Sequence, residues 1–194
     1  MLRNMKTKCV FNIPSQTQTI TEGDLLIADP SLRESIFHRS VVLLAQHSNE
    51  GAFGLILNQR SDSVVGDYLK DETFTSLSRI PVFLGGPVAK SHLTFAAFWM
   101  SPNNELRFAV RISAEEAIAR SKQPGTLVKA FAGYSGWSSG QLEEEINHNT
   151  WVPSPAPDNF LGLNHDKSLW GRALNELSPF HRLLALCPEA PSLN

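Results

Sequence analysis

A chain of 194 residues with 42% hydrophobic and 19% charged side chains has material for one domain with a real core and too little for two of ordinary size. No apolar run reaches the roughly 18–20 residues that span a bilayer, so no membrane role is expected and the cytoplasm is the expected location. The net charge of −2 lacks the basic excess that neutralises phosphates, which leaves nucleic-acid binding without electrostatic support.

Cys9 and Cys187 sit near opposite ends and form neither a CxxC pair nor a Cys/His metal spacing, so both read as plain thiols in a reducing compartment, and no metal or cofactor site is expected. Residues 1–20 carry Lys and Arg without acid, and the apolar run Cys9 to Ile13 is too short for a signal peptide; they are read as a mobile tail. The domain is expected over residues 21–178, with a loosened tail over 179–194.

The ordered chain is expected to start with Gly23 to Pro30, a short buried strand closed by Asp29-Pro30. Ser31 to Phe37 reads as a connector. Ser40 to His47 and Ala52 to Asn58 form an antiparallel hairpin around Ser48 to Gly51. Asp62 is placed as the cap of a short helix showing Val65, Tyr68 and Leu69 on one face. Pro81 to Val88 reads as a strand running into Gly85-Gly86-Pro87, where the glycines allow close backbone approach and the proline forbids simple continuation. Leu93 to Trp99 and Leu106 to Ile112 flank a loop, and in the second Leu106, Phe108, Val110 and Ile112 alternate with Arg107 and Arg111. Ser113 to Glu116 is a capping box for a helix ending before Pro124-Gly125. Thr126 to Tyr134 is a strand leading into Phe131 to Trp151, where glycines, aromatics and a helix start crowd together. Pro153, Pro155 and Pro157 argue for an irregular segment, and Asp166 caps a last helix with Leu169, Trp170, Ala173, Leu174 and Leu177 as its apolar stripe. Hairpins with few helices between successive strands indicate an α+β single domain with a mostly antiparallel sheet.

Gly136-Trp137-Ser138-Ser139-Gly140 satisfies G-x-S-x-G, which suggests a serine hydrolase with Ser138 as nucleophile, Asp158 or Asp166 as orienting acid and His165 or His181 as base. The strands and helices such a fold requires around the serine are missing. Ser138 and Gln141 also read as a helix capping box. The same turn makes a poor anion site, because Glu143, Glu144 and Glu145 occupy the first helical turn. Glu145 and His148 share a helix face, but the second Glu/His pair of a di-iron bundle is absent. The candidate binding surface is Gly85, Gly86 and Pro87, running on to Val88, with Tyr134, Trp137 and Gln141.

The motifs Gly23 to Pro30, Ser40-Val-Val with His47, Gly51 to Asn58, Gly85-Gly-Pro-Val88, and Gly133-Tyr-Ser-Gly-Trp137 followed by Gly140-Gln-Leu-Glu143 and Trp151 occur in an order that resembles the AlgH/YqgE family of bacterial proteins, over roughly Thr21 to Leu177. The resemblance implies a bifurcated, mostly antiparallel sheet closed into a pseudo-barrel with helices packed outside. It carries over no catalytic residue or cofactor; the family name comes from a proposed role as transcriptional regulator of alginate synthesis. Ser138 stands where the family often has glycine, and Asn58-Gln59-Arg60 replaces its Asn-x-Pro. The expectation is a non-enzymatic module binding an unknown protein or small molecule, with a Ser138 hydrolase and a DNA-binding regulator as alternatives; no helix-turn-helix is evident.

Overall fold

The computed structural model describes residues 20–32 and 35–186; the expectations for Cys9, Cys187, nearly all of the N-terminal tail and the last half of the C-terminal one lie outside these residues. The chain runs β1 (Leu25–Ala28), β2 (Val41–Ser48), β3 (Gly51–Ile56), β4 (Arg60–Val64), α1 (Val65–Tyr68), a 3-10 segment (Glu72–Leu77), β5 (Pro81–Leu84), β6 (Val88–Met100), β7 (Leu106–Ile112), α2 (Ala114–Ser121), β8 (Leu127–Ser138), α3 (Gln141–Asn147), β9 (Trp151–Ser154), a second 3-10 segment (Phe160–Gly162), α4 (Ser168–Leu177) and α5 (Pro179–Ala185). This is the expected α+β order. Every strand pair is antiparallel except β5 with β8.

The sheet divides along β8. Its first half lies between β5 and β6, with Phe131 opposite both Phe83 and Thr94; its second half pairs with β3, setting Trp137 opposite Ala52. Gly133, at φ +74°, marks the change of neighbours. The bifurcation is therefore as expected, but among the described residues the pairings end at β4, β7 and β9 without returning edge to edge. The pseudo-barrel closure expected from the resemblance is not formed, because the split of β8 sends its two halves to different neighbours.

Two apolar cores follow from this division. The larger holds Leu26, Leu43, Leu55, Phe98, Phe131, Trp151 and the inward stripe of α4, Leu169, Trp170 and Leu174; the smaller joins Val65, Leu77, Val82, Phe95, Ala117 and Ala130. The Trp170 indole N–H donates to the Ala28 carbonyl at 2.7 Å and fixes α4 on β1. Buried Asn58 stitches β3 to β2, accepting from the Val41 amide at 2.9 Å and donating to the Arg39 carbonyl at 2.9 Å.

Three local expectations are corrected. Asp62 lies inside β4 instead of capping a helix; Asp67 does that work, accepting from the Val64 amide at 2.9 Å. The proline-rich segment begins as a strand, since β9 is the sheet edge beside β1 and Pro153 can face its missing N–H away from the ladder. The chain does not loosen at Pro179 but starts α5 there, a position where proline loses no helical hydrogen bond.

Candidate functional site

The stretch that looked most like an active-site turn is a braced corner. Glu145, on α3, accepts from the Trp137 indole at 2.8 Å and the Trp151 indole at 2.7 Å through one oxygen, and from the Gln141 amide at 2.9 Å through the other. The two indoles meet edge to face at 6.0 Å, and Phe37 packs edge to face on Trp151 at 5.2 Å. Gln141 also accepts from the Ser138 amide at 3.0 Å, but the expected capping box is not formed: Ser138 ends β8, and α3 starts at Gln141 behind Gly140, whose φ of +74° breaks the helical path between them. Ser139 donates to the Asn49 carbonyl at 2.6 Å and ties the turn to the β2–β3 hairpin. His47, at the end of β2, meets Glu143 at 2.6 Å; the backbone amide of Glu143 and then this histidine hold the carboxyl below its ordinary range. Glu145 is thus committed to the tryptophans and not to a metal with His148, and no group of three potential metal ligands occurs among the described residues.

Gly85 and Gly86 carry the chain from β5 on one side of β8 to β6 on the other. A side chain on Gly86 would strike the backbone of Tyr134 and Ser135, and one on Gly133 would come within 2.7 Å of the Gly86 and Val88 carbonyls. The glycines are there because two main chains touch. Ser135, fully buried beneath the crossing, donates to the Gly85 carbonyl at 3.1 Å. Beyond it the chain emerges: Pro87 is exposed, and residues 88–92 bulge outward, opposed only by Tyr134 and Gly133 before regular pairing resumes at Leu93.

The candidate surface residues do not all come together. Side chains on one strand alternate between faces. Tyr134 points to the face of Phe53, whose ring lies 5.1 Å away, while Trp137 points to the opposite face, is buried, and contacts the position of Gly54. Gly85, Gly86, Pro87 and Tyr134 form one neighbourhood; Trp137 and exposed Gln141 belong to the corner behind it. Sequence reasoning did not find Arg111, the third member of the Tyr134 face. It is the extra residue of a β-bulge, skipped where Phe95 pairs with Ile112 and Ala96 with Val110, and has φ +56°. Its guanidinium carbon stands 3.9 Å from the Phe53 ring centre and 5.4 Å from that of Tyr134. The strand alternation marked Arg111 only as a wet-face residue.

The hydrolase candidates are not assembled. Ser138 is exposed on β8 opposite Gly51. His165 is engaged elsewhere: one ring nitrogen lies 3.1 Å from the Phe160 carbonyl and the other 2.9 Å from the Lys129 ammonium. Because a carbonyl only accepts, Nε2 carries the proton and Nδ1 accepts from Lys129. His181 pairs with Ser178 at 2.8 Å, Asp166 caps α4 by accepting from the Ser168 amide at 2.8 Å, and Asp158 is exposed. No hydrogen bond between described residues joins any of them to Ser138.

The Lys129 contact was also missed. This lysine is 4% exposed, donates to the Leu57 carbonyl at 2.9 Å and lies 3.6 Å over the Phe83 ring. Burial holds its ammonium well below the ordinary lysine range, and burial together with the Lys129 charge brings His165 down to about 4. The pair links β8 and β3 to the loop before α4. Its sequence trace was a single lysine in an otherwise apolar strand. A separate cavity of about 200 Å³ is lined by Thr73, Phe74, Glu115 and Ile118, away from all these groups.

Comparison with known proteins agrees with the fold. The AlgH-like family matches residues 25–180. A UPF0301 protein of Bacteroides thetaiotaomicron is 32% identical over 95% of this chain and 97% of its own length, and one of Chlamydia caviae is 31% identical over 90% and 96%. Among solved structures, AlgH of Pseudomonas aeruginosa superposes with a TM-score of 0.61 at 25% identity, covering 93% of this chain and all of that one. A Corynebacterium diphtheriae protein, DIP2367, gives a TM-score of 0.66 at 23% identity over 88% and 94%, a likeness of fold. With the family model matched over residues 25–180 and relatives above 30% identical along nearly their whole length, the chain belongs to the AlgH-like family.

Proposed function

We propose that this protein is a non-enzymatic cytoplasmic module that binds a protein partner through the crossing at Gly85 to Val88 and the adjoining face of Tyr134. The observation that carries this reading is the outward presentation of aliphatic side chains there. Leu84 and Val88, on either side of the Gly-Gly-Pro turn, are 37% and 39% exposed, although the neighbouring strand residues Val82 and Phe83 are buried. Glycines at van der Waals contact make the crossing rigid, so its exposed residues are held in place before any partner arrives, which lowers the ordering cost of binding. Trp137 and Gln141 support the surface from behind through Glu145. A part in transcriptional regulation would run through such a protein contact and not through duplex DNA, for which the net charge of −2 offers little attraction.

The test is site-specific photocrosslinking in cells, with the reactive residue at Val88 and, as a control, at exposed Lys122. A discrete protein adduct at 88 that is absent at 122 supports the proposal. An identical ladder at both positions, or no adduct at 88, rejects it.

A further inference from the structure

Resting on that surface, we infer that the partner presents an acidic side chain to Arg111 and an aliphatic one to the notch between Val88 and Tyr134. Arg111 is placed by an uncommon backbone conformation: a non-glycine residue at φ +56° in a bulge, a device that re-aims a side chain. Its guanidinium lies over the Phe53 and Tyr134 rings, yet it has no hydrogen bond or ion pair with any described residue. Arg107 and Arg120, in contrast, each have a carboxylate partner. Arg107 pairs with Glu105 at 2.6 Å and Arg120 with Glu116 at 3.3 Å. Stacking on an aromatic face occupies the plane of a guanidinium but leaves the N–H groups at its edge, whose fork matches a carboxylate.

One further feature adjoins this donor. Gly136 faces the same side, and a Cβ there would lie 3.3 Å from Tyr134 Cε2 and 3.9 Å from Val88 Cγ2; the missing side chain leaves a notch walled by both. A guanidinium without a carboxylate beside an aliphatic notch favours a segment in which Asp or Glu neighbours a small aliphatic residue. Electrostatic complementarity of this kind selects the partner and sets its register.

The Val88 photocrosslinker tests this in the full chain, combined with Arg111→Glu, Arg111→Gln, Gly136→Val and, as a charge control, Arg107→Glu. The expected result is a loss of roughly tenfold or more in adduct with Arg111→Glu and with Gly136→Val, retention with Arg107→Glu, and an Asp or Glu within the crosslinked partner peptide. Arg111→Gln, which can keep its place over the rings without the charge, carries the test if the reversal unfolds the chain. Adduct persisting within about twofold in both Arg111 variants, or a crosslinked peptide without acid, overturns this inference and leaves the binding surface standing. A crosslink to nucleic acid or lipid overturns it as well. Absence of any adduct from the unsubstituted chain overturns the surface and the inference together.

Discussion

Removing the Glu145 carboxylate tests whether the aromatic corner is architecture. The substitution Glu145→Ala strands two indole N–H donors, on Trp151 at 2% exposure and Trp137 at 6%. An unsatisfied buried donor costs about 1–3 kcal/mol, so the pair sets an expected loss of about 3 kcal/mol or more. For a chain of this size that is a fall in Tm of roughly 6–12 °C. Glu145→Gln keeps one oxygen able to accept from both indoles but turns an NH2 toward the Gln141 NH2, so only that exposed bond is lost, at an expected cost of about 1 kcal/mol. Urea unfolding followed by tryptophan fluorescence gives both values, and the indole N–H resonances of Trp137 and Trp151 report the contact directly. If alanine and glutamine variants lose the same stability within about 0.5 kcal/mol, or alanine costs less than about 1, the carboxylate does not organise the corner.

The Lys129–His165 pair makes stability depend on pH. His165 falls from 6.5 to about 4 on folding, so the unfolded chain takes up its proton first; the His165 contribution to stability is complete above pH 6.5 and declines as pH drops toward 4. At about 1.4 kcal/mol per pH unit, the loss between pH 7 and pH 4 is about 3 kcal/mol, to be read as the difference in urea-unfolding profiles between the wild type and His165→Asn. Equal pH slopes in the two proteins would falsify the linkage. At the crossing, Gly86→Ala drives a Cβ into the Tyr134 and Ser135 backbone and should cost at least about 3 kcal/mol, because neither chain can move aside. Gly140→Ala, at φ +74° with nothing within 4 Å, should cost only about 1 kcal/mol, and thermal unfolding of both checks that contact and not glycine chemistry sets the order.

Periodicity and turn chemistry are local, and what depended on them was legible in the sequence. The β2–β3 hairpin, α2 behind the Ser113 cap and α4 with its apolar stripe were all readable within a dozen residues, whereas the single dry face read for β7 ends at the Arg111 bulge, which puts Ile112 in the smaller core while Leu106, Phe108 and Val110 pack on the larger. Reading failed where a long-range partner overrode the local signal. Pro153 sits in a strand because β1 offers it an edge. Asp62 is in a strand because β5 pairs with β4 on either side of it, at Arg60 and Val64.

The candidate site divides along the same line. Gly85-Gly86-Pro87 announced a close approach, but only the path of β8 shows that the object approached is the protein's own backbone. Ser138 carried the motif of a nucleophile, and only the fold places His165 against Lys129 and His181 against Ser178. By itself the sequence determined the strand-rich order, the Ser113-capped helix α2 and the family, since each rests on residues near one another in the chain or on motifs in sequence. The tertiary structure alone decided that Tyr134 and Trp137 look in opposite directions, that Glu145 serves two tryptophans, and that Arg111 meets Phe53, because those relations depend on how separate elements, β8 with α3 and β9 and β7 with β3, are set against one another and on which face of a strand a side chain leaves.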